Sequence, residues 1–283
     1  MEKQKKIALI NDLTGFGRCS TAVMAPIVSA MKIQAVAVPT AILSAHTQFP
    51  TYYFDDYTDR MKEYIQTYKD LKLDFDAIST GFLGSEQQVD IVLDFIRHFK
   101  TDRNFVIVDP VMGDYGKLYR TYTKEMCDKM KELVHYADII TPNTTEAAIL
   151  LDRDPASAPQ NETEAQEWLH ALHSRYGAQV VLTGLDYEPG KVGSGCLSAD
   201  GGTISLHERI AQYYPGTGDL FAAVVLGALL NSRALADACA LAGEFVKDCI
   251  AYTAAQHTDP MHGVQFEKLL PRLFSCHENR TEV

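Results

Sequence analysis

Short apolar segments alternate with longer amphipathic segments along most of this chain, and this alternation restricts its fold more than any other feature. The apolar segments are rich in Val, Ile and Ala and have the length of buried strands. They lie at residues 6–10, 35–38, 75–78, 105–108, 138–140 and 179–182. Apolar strands separated by amphipathic helices predict an α/β fold with a mostly parallel sheet that is covered on both faces.

Helices are predicted between these strands and after the last of them. Two begin with a capping-box pattern, Ser85 with Gln88 and Thr163 with Gln166. The predicted helices cover residues 55–71, 85–100, 123–136, 163–176, 217–230, 234–256 and 264–274. The connections between parallel strands are expected to be right-handed crossovers.

The segment 184–215 departs from the alternation of strands and helices because it is rich in Gly, Pro and Ser. Its residues 195–198 and 203–206 indicate a hairpin, which predicts an antiparallel edge of the sheet. No linker or internal repeat interrupts the chain. With 283 residues and 46% hydrophobic content, the sequence is long and apolar enough for one large core. A single domain over residues 1–283 is therefore expected.

Charge and cysteine usage exclude several kinds of partner. The net charge is −11, and no basic run exceeds two residues, so neither nucleic acid nor an anionic membrane is an expected partner. The most apolar stretch, 220–230, is about half of the ~20 residues that a membrane span needs. The 6 cysteines are widely spaced without a CxxC pair, which predicts a reducing cytoplasmic location.

Because the overall field repels anions, an anionic ligand must be held by local groups such as the amides of a glycine turn. The first such turn, residues 15–20, imitates a dinucleotide-binding fingerprint, but Ser20 replaces its third glycine. No acidic residue ends the second strand to hold a ribose, which disfavours NAD binding. The absence of a GxxxxGK[ST] motif excludes a P-loop.

The turn 215–219 is the better candidate because it directly precedes the apolar helix predicted at 217–230. Free amides of Gly216, Thr217 and Gly218 at the positive end of a helix can hold a phosphate. Asp219 follows as a candidate catalytic carboxylate. The alternative is that Asp219 only caps the helix.

Two further turns, 109–114 and 141–146, follow neighbouring predicted strands, and ligands of parallel sheets bind beyond such strand ends. Asn143 and Glu146 would present an amide and a carboxylate to a hydrated magnesium ion. A capping box between these two residues is the alternative. For Asp109 the alternative is a turn at the strand end.

Together, the turns 109–114, 141–146 and 215–219 resemble those of ribokinase-like vitamin kinases. The segments 44–48, 79–84 and 116–119 resemble the substrate side of pyridoxal/pyridoxamine kinases in particular. The resemblance runs from about residue 7 to about residue 260. It implies a ribokinase-like three-layer α/β/α sandwich and a homodimer. It also implies ATP as co-substrate with Mg²⁺, and it is compatible with a monovalent cation.

The resemblance also implies roles for individual residues in phosphorylating the 5′-hydroxymethyl group of a vitamin B6 vitamer. Asp219 would be the general base, beside an anion hole formed by the amides of residues 216–218. Glu146 and Asn143 would order the magnesium. The other expected nucleotide-binding residues are Asp109, Asp114, Thr183 and Gly184. The expected substrate-binding residues are Asn11, Asp12, His46, Thr47, Phe82 and Tyr119.

Two departures from the usual pyridoxal kinase pattern bear on the substrate. The pair Asn11 and Asp12 adds an acid, and Phe82 removes a hydroxyl. Asp12 next to the ring would favour the cationic amine of pyridoxamine over the aldehyde of pyridoxal. A hydroxymethylpyrimidine kinase of thiamine synthesis and a catalytically silent ligand-binding protein of the same fold remain alternatives.

Overall fold

The computed structural model describes residues 3–120 and 122–274. A 9-stranded sheet forms its centre, and 2 further strands form a separate hairpin. In chain order the strands are β1 (Lys6–Phe16), β2 (Gln34–Ala45), β3 (Phe54–Asp56), β4 (Ala77–Thr80), β5 (Phe105–Val108), β6 (Gly113–Asp114), β7 (Lys117–Leu118), β8 (Ile139–Ile140), β9 (Gln179–Leu185), β10 (Lys191–Ser198) and β11 (Gly201–Glu208). The spatial order in the large sheet is β11-β10-β9-β8-β5-β4-β1-β2-β3.

Helices cover both faces of the sheet. They are α1 (Thr21–Ala30), α2 (Thr58–Asp70), α3 (Glu86–Phe99), α4 (Lys124–Val134), α5 (Thr144–Leu150), α6 (Glu162–Tyr176), α7 (Thr217–Leu230), α8 (Leu235–Ala254) and α9 (Pro271–Phe274), with 3₁₀ turns at Pro260–His262 and Glu267–Leu269. One buried apolar cluster lies under α2 to α6 and the other under α1, α7, α8 and α9. The predicted three-layer arrangement is confirmed.

In the middle of the sheet, neighbouring strands along the order β9-β8-β5-β4-β1-β2 pair in parallel. The strand pairs at both edges of the sheet are antiparallel. One edge is the hairpin of β10 and β11, which was expected from residues 195–198 and 203–206. The mostly parallel sheet with an antiparallel edge is therefore confirmed. Among the described residues, no helix is both long enough and apolar enough to cross a bilayer.

Two helix predictions are wrong in extent. The helix expected at 55–71 begins at Thr58, because residues 54–56 form β3 and pair antiparallel with β2. The carboxylate of Asp56 accepts the Thr58 N–H at 2.8 Å, which separates strand from helix. The helix expected at 264–274 is reduced to two short turns. Pro271 lacks a backbone N–H, so a continuous helix over 264–274 would lose a hydrogen bond there, and Pro271 instead begins α9.

Strands β1 and β2 are much longer than predicted, and this extension shapes the functional end of the molecule. Their pairing continues to Phe16 and Ala45, beyond the point where β4 ends. The register shifts between Asn11 and Leu13, which is a bulge at the level of the sheet edge. The two strands therefore form a flap that stands above the carboxyl ends of the parallel strands. The single-domain prediction for residues 1–283 extends beyond the described residues and stays a prediction.

Candidate active site

A cavity of about 410 Å³ lies at the carboxyl ends of the parallel strands. The turns after β5 and β8 form one side of it, and the glycine turn before α7 forms another. The structure brings most of the predicted site residues to this cavity. Its lining includes Asp109, Asp114, Tyr119, Asn143, Glu146, Thr183, Gly184, Gly216, Thr217, Gly218 and Asp219.

The glycines of the turn before α7 have different physical roles. Gly216 has φ 80°, and a Cβ there would lie 2.0 Å from the carbonyl oxygen of Arg18. Only glycine can therefore combine this conformation with this close backbone contact. Gly218 lies in the first turn of α7, and a Cβ there would meet no protein atom within 4 Å. Gly218 therefore faces open cavity space.

Asp219 is half-buried next to the turn that precedes α1. Its Oδ2 accepts the N–H of Ser20 at 2.8 Å. Burial is the largest effect on this carboxyl group and raises its pKa to about 6. The carboxylate thus bonds a different segment, and no side chain makes a capping bond at the N-cap of α7. This geometry disfavours the helix cap as its only role.

Asn143 and Glu146 form the capping box that the sequence left as an alternative. Asn143 Oδ1 accepts the Glu146 N–H at 3.0 Å, and Glu146 Oε2 accepts the Asn143 N–H at 2.9 Å. Glu146 Oε1 also accepts the Met112 N–H at 3.0 Å, and Asn143 Nδ2 donates to the Gly113 carbonyl at 2.8 Å. The box therefore fixes the 109–114 turn against the start of α5. Each carboxylate oxygen keeps a further lone pair for a ligand.

The carboxylates of this cavity repel one another. Burial raises the pKa of Glu146 to about 7, and the charge of Asp114 adds to that shift. The pKa of Asp109 is also raised, first by burial and then by Glu146 and Asp219. Thr141, which is 5% exposed, lines the same cavity, and its hydroxyl has no hydrogen-bond partner in the described part of the chain.

Concentrated negative charge and an unpartnered hydroxyl are the donor chemistry of a hard cation. Within residues 3–120 and 122–274, no three His, Cys, Asp or Glu side chains are grouped so that they could hold a metal alone. Mg²⁺ suits such a site because it is usually bound by one or two carboxylates, water and substrate phosphates. The residues present therefore fit Mg²⁺, with Glu146 and Asn143 as the predicted holders and Asp109 and Thr141 beside them.

Except for Tyr119, the predicted substrate-side residues lie outside the cavity lining. Asn11, Asp12 and Phe82 lie at the base of the flap, whereas His46 and Thr47 directly follow its end at Ala45. Asn11 is 2% exposed, and its Oδ1 accepts the N–H groups of Asp12 and Phe82 at 2.9 and 3.0 Å. Gly81 is needed beside it, because a Cβ there would lie 2.5 Å from the Asn11 amide. Thr47 is exposed and Phe82 is half-buried.

His46 is buried between the flap and the segment after α8. Its Nε2 lies 2.8 Å from the carbonyl oxygen of Met261, and its ring packs against Phe49 with centroids 4.4 Å apart. The Asp12 carboxylate accepts the hydroxyl of Thr14. Contact of His46 or Asp12 with a substrate ring therefore stays a prediction.

Comparison with known proteins identifies the family. The family model for phosphomethylpyrimidine kinase matches residues 26–264, which is most of the chain. The chain belongs to the phosphomethylpyrimidine kinase family. A pyridoxine/pyridoxal/pyridoxamine kinase of Bordetella avium is 28% identical over 84% of this chain and 82% of that protein. A Schizosaccharomyces pombe protein described as a pyridoxal kinase is 30% identical, but the alignment spans only 46% of its length.

Solved structures agree with the family assignment. A Bacteroides thetaiotaomicron protein described as a phosphomethylpyrimidine kinase, in a crystal form with pyridoxal, has a TM-score of 0.91 and 38% identity, covering 96% of both chains. Pyridoxal kinase of Lactobacillus plantarum has a TM-score of 0.90 and 28% identity, covering 99% of this chain and all of that one. The predicted ribokinase-like kinase fold is confirmed.

This family member has two features at its cavity that the sequence did not reveal. The first is Ser20, whose N–H donates to Asp219. In the sequence, Ser20 is marked only by its place in the 15–20 turn, where it replaces a third glycine. The second is an apolar wall that faces the polar turns. It is formed by Val192, Ile210, Gly243, Val246 and Ile250. The last three residues share one face of α8. The sequence did not reveal their role, because the apolar spacing of a helix face toward a ligand is the same as that of a face toward the core.

Proposed function

We propose that this protein transfers the γ-phosphoryl group of ATP to the 5′-hydroxymethyl group of a vitamin B6 vitamer: pyridoxal, pyridoxamine or pyridoxine. The observation that carries the proposal is the half-buried Asp219 carboxylate at the glycine-rich start of α7, which lines the same cavity as the carboxylate cluster. The 38% identical Bacteroides structure with pyridoxal and the similar kinases of B6 vitamers support this choice of substrate.

The cavity has separate parts for the base and the phosphates of ATP. The apolar wall between β10 and α8 suits a nucleobase, and Thr183 and Gly184 border it. The 109–114 turn and the start of α7 suit the phosphates. Bound Mg²⁺, held by Glu146 and Asn143, would neutralise phosphate charge. ATP would thus lie with its γ-phosphate toward Asp219.

In the proposed reaction Asp219 accepts the proton of the substrate hydroxyl. The hydroxyl oxygen forms a bond to the γ-phosphorus as the bond from phosphorus to the ADP oxygen breaks. Amides of Gly216, Thr217 and Gly218 stabilise the negative charge that develops on the transferred group. Phosphoryl transfer depends mainly on positioning and charge stabilisation, so a P-loop lysine is not required.

The pH dependence of kcat is expected to show an acidic limb near pH 6. Asp219 must be ionised to accept a proton, and burial raises its pKa to about 6. Activity should therefore be high above this value and fall as the pH decreases through it. Steady-state kcat measured from pH 5 to 9 with saturating substrates checks the prediction. A limb near the usual aspartate value of about 4 would contradict it.

Replacing Glu146 by glutamine is expected to raise the Mg²⁺ concentration for half-maximal activity several-fold, because an amide supports a hydrated cation less well than a carboxylate. The Mg²⁺ titration is compared with a thermal melt of the same variant. A lower melting temperature with an unchanged titration would leave only the capping role of Glu146. Glu132→Gln, an exposed change on α4, is the matched control and should alter neither.

A substrate panel with Mg²⁺ and ATP tests the function itself. Phosphorylation of at least one B6 vitamer with a kcat/KM well above that for hydroxymethylpyrimidine supports the proposal. The reverse preference would support the second candidate, a hydroxymethylpyrimidine kinase, which the family match favours. Binding of ATP without turnover of any substrate would support a silent ligand-binding protein.

We also infer that the protein acts as a homodimer in the cytoplasm. The support for a dimer is the exposed aromatic surface along the flap and the β3 edge, where Tyr53 is 64% exposed. Phe16, Tyr52 and Phe54 are also exposed there. Light scattering on the purified protein tests the dimer.

Activity compared in sodium and potassium salts tests whether the reaction depends on a monovalent cation.

A further inference from the structure

The segment after α8 packs against the turn that precedes α1. We call residues 260–267 of this segment the brace. Gly263 of the brace has φ 75°, and a Cβ there would lie 2.2 Å from the carbonyl oxygen of Gly17. The ring of His262 lies edge-on to the ring of Phe16, with centroids 5.0 Å apart. The brace therefore contacts the turn through both backbone and side chains.

Arg18 connects the turn to the brace with two hydrogen bonds. Its Nη1 donates to the carbonyl oxygen of His262 at 3.0 Å, and its Nε donates to Oε1 of Glu267 at 2.6 Å. The guanidinium is planar and rigid, so bonds to two separate acceptors fix its orientation. The Arg18 side chain is 31% exposed, and these bonds are therefore partly shielded from water.

The backbone of the turn needs such contacts to keep its shape. The φ angle is 115° at Gly17, 50° at Arg18 and 55° at Ser20. Residues with a side chain seldom adopt positive φ angles, so the surrounding structure must hold them there. The brace contacts Gly17 and Arg18 directly. Loss of the Arg18 bonds is therefore expected to let the turn relax toward a commoner conformation.

The same turn also contacts the glycine turn before α7. The carbonyl oxygen of Arg18 lies so close to Gly216 that a Cβ there would be 2.0 Å away. Two residues after Arg18, the N–H of Ser20 donates to Oδ2 of Asp219 at 2.8 Å. Arg18 thus contacts the brace with its side chain and the glycine turn with its carbonyl group. A relaxed turn would shift both the Gly216 contact and the Ser20 bond.

We propose that Arg18 is a positioning residue of the kinase reaction, which holds the turn before α1 against residues 216–219 through its two bonds to the brace. This inference rests on the proposed function, because it takes Asp219 and the amides of residues 216–218 as the reacting and stabilising groups. Arg18 is not among the described residues that line the cavity, and its guanidinium is directed to the brace. Its role therefore differs from that of an arginine that binds the phosphates of ATP.

The kinetic test uses Arg18→Met, which keeps much of the length of the side chain and removes both bonds. A misplacement of about 1 Å at a reacting group can slow a reaction on the order of a hundredfold. We expect kcat to fall on the order of tenfold, with the KM for ATP little changed. The Tm should change little, because ion pairs near the surface contribute little to stability. A raised KM for ATP with unchanged kcat, or a loss of kcat that is matched by a large loss of Tm, would overturn the proposal.

Two further variants serve as rescue and control. Arg18→Lys can still pair with Glu267, but an ammonium group lacks the rigid fork that reaches two fixed acceptors. Its kcat should therefore lie between those of Arg18→Met and the wild type. Arg97→Met removes an exposed pair with Asp94 on α3, with the same change of net charge, and should keep the wild-type kcat. Equal kcat in Arg18→Lys and Arg18→Met, or a loss of kcat in Arg97→Met, would contradict the role of the two bonds.

Glu267→Ala changes the brace side of the same contact, and it carries the kinetic test if Arg18→Met does not fold. It should lower kcat by a smaller factor, because the bond from Arg18 to the His262 carbonyl remains. The double variant Arg18→Met/Glu267→Ala should be no slower than Arg18→Met alone, since both changes remove one shared contact. A wild-type kcat in Glu267→Ala, or effects that multiply in the double variant, would refute action through the brace.

A readout without turnover separates this inference from the proposed function. Amide hydrogen exchange is measured at the Ser20 N–H, which is protected in the wild type by its bond to Asp219. In Arg18→Met this amide should exchange faster by on the order of tenfold, while amides inside α3 keep their rates. Unchanged exchange at Ser20 refutes the inference even in an active enzyme. A wild type that phosphorylates no vitamer refutes only the proposed function.

Discussion

Asp219→Asn is expected to lower kcat by on the order of a hundred- to ten-thousand-fold, the range for loss of a general base. Nucleotide binding should persist, because the asparagine oxygen can still accept the Ser20 N–H that now bonds Oδ2. The measurement is kcat at saturating ATP and vitamer, with nucleotide affinity determined separately by calorimetry. Near-normal turnover in the purified variant would remove Asp219 from the mechanism.

The same change is expected to stabilise the folded protein. The pKa of Asp219 rises from 3.8 to about 6 on folding, mainly through burial. Because the folded state holds the proton more tightly, ionisation of this group opposes folding. The penalty is absent below the unfolded value, grows as the pH rises through the folded value and is constant above it. A shift of about two units corresponds to about 3 kcal/mol at most.

Thermal melts of Asp219→Asn and wild type at pH 8 and pH 5 therefore check the prediction. The variant should have the higher Tm at pH 8, by several degrees, and the difference should shrink at pH 5. Asp90→Asn, whose carboxylate is exposed, controls for a change of net charge. A variant that is both inactive and less stable would indicate that Asp219 holds the fold rather than performs the reaction.

The sequence predicted the elements that position the cavity, because their signals are local. Buried parallel strands appear as short apolar runs, and the turns after them are marked by glycine, proline and carboxylates. In a parallel sheet such turns meet at one edge. Asp109, Asn143 and Asp219, which are far apart in sequence, could therefore be predicted to share a site, and the structure places them around one cavity.

The parts that the sequence missed depend on contacts distant along the chain. Strands β1 and β2 continue past the buried layer, where no apolar run marks β1 and Pro39 interrupts the pattern of β2, and each supplies the partner that keeps the other extended. The predicted helix 55–71 includes Asp55 and Asp56, because Asp is typical of a helix start, yet both residues belong to β3 and pair with β2. The role of Ser20 depends on its N–H, which any residue type other than proline would supply.

For Asn143 and Glu146 the sequence left a capping box and a magnesium site as alternatives. The structure shows the capping box, but the same carboxylate lies in a cavity where burial and a neighbouring carboxylate raise its pKa to about 7. A residue needed only as a cap would be more stable at the surface, where its charge is hydrated. The buried position therefore favours both roles for Glu146.

The second large effect is expected from alanine substitution in the glycine turn. Gly218→Ala should reduce kcat/KM for ATP by roughly 10- to 100-fold, because its methyl group would enter the space in which backbone amides approach the phosphate. Its stability should be unchanged or slightly higher, since no protein atom lies within 4 Å of the added carbon and alanine favours a helix over glycine.

Gly216→Ala is the matched variant, in which the main expected loss is of stability. Its backbone would keep φ 80° with a side chain, and the new carbon would lie 2.0 Å from the carbonyl oxygen of Arg18. Such strain is expected to lower Tm on the order of 5–10 °C. The comparison is made by thermal melts and ATP kinetics on both variants. If Gly218→Ala turned over ATP normally, the amides of residues 216–218 would not form the anion hole. If Gly216→Ala were as stable as the wild type, the backbone contact between this turn and the 15–20 turn would have no role in holding Asp219 beside Ser20.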